Sequence, residues 1–337
     1  MKRHIKTAFT ALILSSSSYS LAKDNEHLHN HTEHAYAPVG VMGEHPHSKG
    51  DWMFTYSYNT MEMKNNLLGT SEVSTSQVLA DFMVSPTSMT MQMHMFGLMY
   101  GVSEKFMLMG MMPYSLISMD HINRTGTDFT TRSEGIGDFK LSGTYTFYEH
   151  GSQRVLLNFG INLPTGSIDE RDDTPAGADQ KLPYPMQLGS GTYDFPAGFT
   201  YTNQKGPWSW GGQAKATIRT GENDNSYRLG NEYGITAWGV RKLNSYINGS
   251  LRVDGKSWGN IKGSDPELNP AMVPTSRTDL RGGKRIDLLI GIDFISSKGA
   301  LNGNRLGIEA GVPVYQNLNG PQLAVDYRLS VAWQSVF

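Results

Sequence analysis

Apolar and polar residues alternate along the last segment of the chain, residues 321–337. One set is small or polar and includes Asp326 and Arg328. The other is apolar apart from one serine: Leu323, Val325, Tyr327, Leu329, Val331, Trp333, Ser335 and Phe337. Because successive side chains of a strand point to opposite faces, this period of two predicts a β-strand. A soluble sandwich strand can look the same, but the length beyond ~5–6 residues, the terminal aromatic residue and the charge pair favour a membrane barrel.

Alternating segments of this kind recur from residue 51 onward, and short turns and longer links separate them in alternation. The short turns are 101–105, 149–153, 203–207, 241–244 and 297–302, and the longer links are 64–88, 118–134, 163–189, 221–228 and 257–282, with 316–321 a shorter member. Bacterial outer-membrane barrels place short turns in the periplasm and long loops outside. Residues 50–337 are therefore predicted to form an all-β fold, a transmembrane antiparallel up-and-down β-barrel of about 12 strands with a periplasmic C-terminus.

Residues 73–84 are the segment that tests this strand number, because a thirteenth strand there would break the alternation of turns. Ser74 followed by Val78, Leu79 and Phe82 is typical of a short helix with an N-terminal cap. We therefore predict a helix in the first outer loop.

The first 49 residues lack this alternation. Residues 1–22 have a basic start, a short apolar core and small residues before a cleavage point, as in a secretory signal peptide. Residues 23–49 are polar and rich in histidine: His27, His29, His31, His34, His45 and His47. Without apolar periodicity this segment is predicted to be a mobile periplasmic leader, and the mature chain is predicted to lie in the outer membrane of a Gram-negative cell.

Composition excludes several classes of function. The formal net charge of −2 argues against a nucleic-acid partner, and the absence of cysteine removes disulfides and thiolate chemistry. A mean hydropathy of −0.39 does not exclude a barrel, because membrane strands need only every second residue to be apolar. Beyond the leader the histidines are His94, His121 and His150, and none sits in a pattern with a nucleophile, so no enzyme is predicted.

Several short motifs rich in Gly, Met, Pro and Tyr lie along the chain, at residues 40–45, 51–53, 89–100, 111–114, 135–138, 163–168, 169–175 and 182–187. With them the mature chain resembles a family of outer-membrane transporters that is named after a phenol-degradation (meta-cleavage) pathway and is often found beside copper-handling genes. The resemblance implies a barrel in the lipid bilayer that handles a small solute. The closing strand also resembles those that the outer-membrane assembly machinery reads.

Methionine is the compositional outlier, with 18 residues, 11 of them between Met83 and Met119. Thioether sulfur is a soft ligand that favours Cu(I), whereas flexible apolar surface against lipid is the simpler role. If Gln92 and His94 face the lumen, then Met91, Met93 and Met95 face outward, which favours the lipid role there. The better metal candidates are at strand ends or in the leader: Met42, His45, His47, Met61, Met63, Met89, Met119 and His121.

The polar faces of the strands supply the candidates for the pore lining. They are Asp138, Lys140, Arg154, Lys215, Arg219, Glu232, Arg252, Asp254, Arg285, Asp287, Asp293, Arg305, Glu309, Asp326 and Arg328. The signs are nearly balanced, which predicts no strong ion selectivity and is equally consistent with a network of ion pairs. The acidic loop 163–189 is interpreted as a solvated cap, with an inward constriction or a Ca²⁺ site as alternatives.

Three functions remain open. The first is a barrel that passes or binds a small solute, with copper handling the more specific hypothesis and copper the cofactor that it would need. The second is a channel for small aromatic or apolar compounds, for which Trp238 and Tyr246 are the lumen-facing aromatic candidates. The third is a non-conducting barrel that is structural or whose loops bind partners.

Overall fold

The computed structural model describes residues 37–43, 48–296 and 299–337, so the signal peptide and most of the leader lie outside the described residues. The strands are β1 (Trp52–Gly69), β2 (Ser71–Val73), β3 (Val84–Ser103), β4 (Phe106–Asn123), β5 (Asp128–Ile136), β6 (Phe139–His150), β7 (Gln153–Leu163), β8 (Arg171–Thr174), β9 (Gly177–Lys181), β10 (Asp194–Lys205), β11 (Trp208–Arg219), β12 (Tyr227–Arg228), β13 (Glu232–Lys242), β14 (Ile247–Trp258), β15 (Lys262–Gly263), β16 (Gly283–Ser296) and β17 (Asn304–Val336). The helices are α1 (Thr75–Asp81) and the 3₁₀ helices Tyr184–Met186, Pro274–Ser276 and Gly299–Leu301. None of the helices in these described ranges is long and apolar enough to cross a membrane.

Eleven strand elements form a closed ring, in the order β1, β3, β4, β6, β7, β10, β11, β13, β14, β16 and β17, and β17 pairs with β1. A closed ring in which every strand is antiparallel to both neighbours must contain an even number of strands. The 33-residue β17 meets this requirement because residues 304–318 pair with β16 and residues 318–336 pair with β1. The chain therefore reverses near Leu318, and the barrel wall has twelve segments, as the turn pattern predicts.

The connections of the ring alternate in length. Turns between β3 and β4, β6 and β7, β10 and β11, and β13 and β14 are short and lie at what we call the short-turn end. The five links β1–β3, β4–β6, β7–β10, β11–β13 and β14–β16 carry the small strands, α1 and two of the 3₁₀ helices, and they lie at the long-loop end. Strands β4 and β5 continue as a hairpin beyond the ring, so residues 118–134, predicted to be a plain loop, are largely strand.

The helix predicted in the first long link is confirmed as α1. The Ser74 side chain accepts a hydrogen bond from the backbone N–H of Gln77, and the Gln77 side chain accepts one from the backbone of Ser74. This reciprocal pair satisfies two donors that the first helical turn leaves unpaired. Val78 is the buried residue of the helix.

The outer surface of the ring is apolar. Phe96, Ile235, Ile290 and Val314 are exposed large side chains of this surface, and Trp333 adds an aromatic ring close to the short-turn end. A broad exposed apolar surface on a closed sheet is favourable only in contact with lipid. The core of the protein therefore lies inside the ring.

Residues 37–43 occupy that interior at the short-turn end. The Arg305 side chain donates to the Ala37 carbonyl at 2.5 Å, and Asn158 donates to the Gly43 carbonyl at 3.0 Å. Ala37 and Val41 are buried against Trp238 and Val240. The prediction of a mobile leader is therefore wrong for residues 37–43, because strand side chains satisfy their backbone carbonyls and cover their apolar atoms. We call these residues the plug.

Candidate functional site

The inner face of β1, β3 and β4 is a wall of methionine side chains. Met53 pairs with Met99, which pairs with Met109, and residues opposite each other in antiparallel strands share a face. These three side chains are buried, whereas Leu98 and Phe96 on the other face are exposed. Continuing the alternation places twelve methionines inside: Met53, Met61, Met63, Met89, Met91, Met93, Met95, Met99, Met107, Met109, Met111 and Met119.

This register corrects the prediction for β3. Met91, Met93 and Met95 face the lumen, while Gln92 and His94 face outward. On the outer surface His94 Nδ1 lies 2.8 Å from the Tyr56 hydroxyl, and this hydrogen bond satisfies polar groups that would otherwise meet lipid unpaired. With Met42 of the plug and Met186 of the long-loop end, 14 of the 18 methionines lie inside the barrel.

The methionines form two groups. The loop-end cluster contains Met61, Met63, Met89, Met91, Met119 and Met186, packed with Ile117 and Val325. The turn-end cluster contains Met42, Met53, Met95, Met99, Met107, Met109 and Met111. Six of the eight metal candidates fall on described residues, and the structure brings together four of them, Met61, Met63, Met89 and Met119.

The other two described metal candidates lie elsewhere. Met42 belongs to the turn-end cluster, and His121 is buried at the long-loop end with its ring stacked on Phe129 at 4.9 Å. His45 and His47 lie outside the described residues. Within the described ranges, no three His, Cys, Asp or Glu side chains converge as they would on a metal ion.

Opposite the methionine wall, charged side chains from β10 to β17 pair with each other. Arg252 and Glu309 are both almost fully buried and form two hydrogen bonds, one of 3.1 Å. The other pairs are Arg305 with Asp293, Arg285 with Asp287, Arg328 with Asp254 and Asp287, Arg219 with Asp194 and Glu232, and Lys256 with Glu232. These contacts form a network of ion pairs across neighbouring strands.

Five of the predicted pore-lining residues lie outside this network. Lys140 of β6 and Lys215 of β11 belong to none of these pairs, and Lys215 borders a small cavity beside Met42 and Gly43 of the plug. Asp326 is exposed and sits 3.5 Å from Lys64 rather than beside Arg328. Asp138 accepts hydrogen bonds from the Gly166 and Ser190 backbones and so closes the base of loop 163–189. Arg154 pairs with Glu149 beside the turn at 151–152. Glu62 pairs with Tyr327 and Met63 pairs with Val325, so Asp326 is the extra residue of a β-bulge and does not follow the alternation of β17.

Loop 163–189 folds inward, which corrects the interpretation of a solvated cap. Its 3₁₀ helix places Met186 in the loop-end cluster, and Leu182 is buried there as well. The Met186 carbonyl accepts a 2.6 Å hydrogen bond from Ser133, and Lys181 lies 3.2 Å from a carboxylate oxygen of Asp265. The Tyr184 ring meets Tyr227 edge to face at 4.9 Å. We call this folded loop the cap.

A cavity of about 370 Å³, which we call the chamber, lies beside Tyr184 and Pro185 of the cap. Its apolar side consists of five residues of the loop-end cluster, Met61, Met63, Met89, Met91 and Met119, together with Leu318, Leu323 and Val325. Its polar side carries four cations and one carboxylate: Arg219, Lys256, Arg281, Arg285 and Glu232. Trp258 and Tyr184 also border it.

Sequence reasoning missed Arg281, Lys256 and Trp258. Arg281 lies in the long link before β16, where no alternation signals a lumen face. Trp258 ends β14, and its indole N–H donates to the Arg281 carbonyl at 2.7 Å. Of the two aromatic candidates, Trp238 is buried inside against the plug, whereas Tyr246 is exposed in the turn after β13.

Comparison with known proteins identifies the family. A model of the family described as "Putative MetA-pathway of phenol degradation" matches residues 80–277. The chain belongs to this family. A search of curated proteins finds no match to the chain.

Among solved structures, an outer-membrane channel from Pseudomonas putida F1 has a TM-score of 0.63 at 14% identity, over 90% of this chain and 100% of that one. The toluene transporter TodX of P. putida matches with a TM-score of 0.44 at 10% identity, over 86% and 91%. The β domain of the Bordetella autotransporter BrkA gives 0.42 at 9%, over 86% and 100%. The first match shows that the fold is that of Gram-negative outer-membrane barrels. None of the three is described as an enzyme.

Proposed function

We propose that the protein is an outer-membrane channel for small, largely apolar compounds, and that the chamber holds the compound in transit. The methionine wall is the observation that carries this proposal. A polar solute gains little from thioether and methylene groups, whereas an apolar solute loses its contact with water there. Flexible methionine side chains also adapt to ligands of different shape.

The chamber has the character of a small-molecule site. Its volume of about 370 Å³ lies at the small end of the usual range of roughly 300–1,000 Å³. It combines an apolar lining with a few polar groups at one side, as such sites do. The family of the chain, which is described by a pathway of phenol degradation, is in line with an aromatic solute.

A route from the long-loop end accompanies this proposal. A second cavity of about 360 Å³ is bordered by Lys181, Leu182 and Pro183, whereas Tyr184 and Pro185 border the chamber. One short stretch of the cap therefore separates the two cavities. In this proposal the short-turn end and the leader face the periplasm, and the assembly machinery reads the C-terminal strand.

Uptake into proteoliposomes tests the proposal. We expect labelled p-cresol to enter faster than through protein-free membranes, and arabinose, a polar solute of similar size, to enter at the protein-free rate. Met91→Gln is expected to lower p-cresol entry about tenfold, since burying a methionine-sized apolar side chain contributes ~1.5 kcal/mol or more.

Met91→Leu is the matched control, because it keeps the apolar surface and removes only the sulfur. It should retain most of the wild-type rate. Equal entry of p-cresol and arabinose, or equal loss in Met91→Gln and Met91→Leu, would argue against an apolar route along this wall.

Soft-metal binding is a second candidate, and the six thioethers of the loop-end cluster favour it. Thioether sulfur prefers Cu(I) among biological metals. We expect a Cu(I) competition titration to detect a site that Met89→Leu with Met119→Leu removes and that the outward-facing Met112→Leu preserves. If the wild type binds Cu(I) no more tightly than the double variant does, this second candidate is eliminated.

A further inference from the structure

We propose that the chamber selects anionic compounds, with Arg281 as the residue that binds a carboxylate group while the apolar body of the same compound lies on the methionine wall. This inference rests on the proposed function and names its substrate class. It starts from the contacts of the Arg281 guanidinium.

Arg281 lacks a carboxylate partner among the described residues. Its Nη2 donates a 3.0 Å hydrogen bond to the Gln322 side-chain oxygen, and its Nη1 is enclosed without a hydrogen-bond partner. The Trp258 bond to its carbonyl and the Gln322 bond to the Gly282 carbonyl hold the backbone in place. Burial lowers the pKa of Arg281 to about 10, so the side chain keeps its charge at neutral pH.

The other three chamber cations each have a partner. Arg219 contacts Asp194 and Glu232, and Lys256 lies 2.7 Å from Glu232. Arg285 lies 3.0 Å from Asp287, and its Nη1 is also 3.6 Å from the Met61 sulfur. The chamber thus has four cations against one carboxylate on its surface. The unpaired charge is the one at Arg281.

A buried charge without a partner is costly, and an anionic ligand removes that cost. The guanidinium plane presents parallel N–H groups that match the two oxygens of a carboxylate. Because the loop-end cluster borders the same cavity, one ligand can contact both sides only if it combines an apolar body with an anionic head. An aromatic or medium-chain monocarboxylate has this chemistry.

The test compares 4-butylbenzoate with its neutral analogue 4-butylbenzamide, as ligands for the full chain in lipid nanodiscs. We expect the wild type to bind the acid at least tenfold more tightly, because a hydrogen bond to a charged carboxylate is stronger than one to a neutral amide. Arg281→Gln should remove that preference and leave the amide affinity within about twofold. Arg281→Lys should keep part of the preference, because it keeps the charge but loses the planar fork.

Arg277→Gln is the matched control, since Arg277 is exposed in the same link, pairs with Asp279 and does not border the chamber. It should keep the full preference. Equal binding of acid and amide by the wild type, or an unchanged ratio in Arg281→Gln, overturns the assignment of Arg281. If neither compound binds or enters proteoliposomes, the proposed apolar channel fails as well; if the amide alone is carried normally, only the anion selectivity fails.

Discussion

Replacing the plug with an equally long Gly-Ser segment is expected to raise the single-channel conductance of the barrel at least several-fold in planar bilayers. Residues 37–43 fill the lumen beside Trp238 and Val240, and twelve strands enclose only a modest space. Without these residues, water and ions gain the volume at the short-turn end. The wild type, blocked by plug and cap, should conduct poorly.

The contacts of the plug explain why a flexible replacement should not stay in place. Besides the bonds to Ala37 and Gly43, Gln213 donates to the Met42 carbonyl at 2.9 Å. Gly40 lies so close to the Arg252–Glu309 pair that a Cβ there would be 2.3 Å from Arg252 Nη2. A Gly-Ser segment keeps backbone carbonyls but loses Val41 and Met42, whose apolar contacts offset the entropy of ordering the segment.

A Gly-Ser replacement of residues 173–178, at the exposed tip of the β8–β9 hairpin, is the control for general loosening. Its conductance should equal that of the wild type. If the plug replacement also leaves conductance unchanged, the plug is not the barrier and the cap must be. A wild-type barrel that already conducts like a general porin would contradict both assignments.

The strand segments and their connections could be predicted from the sequence because period-two alternation is a local property. The alternation of short turns and long links gave the strand number and the position of α1. The period-two alternation within the strands also predicted that Arg252, Asp293, Arg305 and Glu309 lie on the inner face. In these strands one face is strongly apolar and the other is charged, so only one orientation is compatible with lipid.

The orientation of β3 could not be deduced in the same way, because neither face of that strand is clearly polar. Met91 and Met93 alternate with Gln92 and His94, and the usual preference for polar residues inside gives the wrong answer. Pairing with the neighbouring strands decides the matter, since Met99 lies opposite Met53 and Met109. The signal was present in β1, where Phe54 and Tyr56 alternate with Met53.

The chamber was harder to predict because loops complete it. Arg281, Tyr184 and Met186 come from links without periodicity, and their positions depend on contacts between distant segments. One such contact joins the Tyr184 hydroxyl to the Asp265 backbone N–H at 3.0 Å. The close approach of Gly166 and Gly189, where a Cβ on Gly189 would lie 2.2 Å from the Gly166 carbonyl oxygen, likewise has no local signature.

The Glu309→Leu substitution is expected to lower the free energy of unfolding by about 3 kcal/mol or more, because it leaves Arg252 buried without its main partner. Both side chains are no more than 2% exposed, and the remaining carboxylate near Arg252, that of Asp254, lies 3.4 Å away and also serves Arg328. The measurement is denaturant unfolding of the refolded barrel in detergent micelles.

Two further variants show whether the loss of stability in Glu309→Leu comes from an unpaired buried charge or from a packing defect. Asp279→Asn breaks an exposed pair with Arg277 and should cost less than about 1 kcal/mol, because water screens that contact. The double variant Arg252→Met with Glu309→Leu should recover most of the loss, since it removes both charges from the interior. If it stays as unstable as the single variant, the cost comes from packing rather than from the unpaired charge. Because Gly40 of the plug packs against this pair, Glu309→Leu should also raise the single-channel conductance toward that of the variant with the Gly-Ser plug.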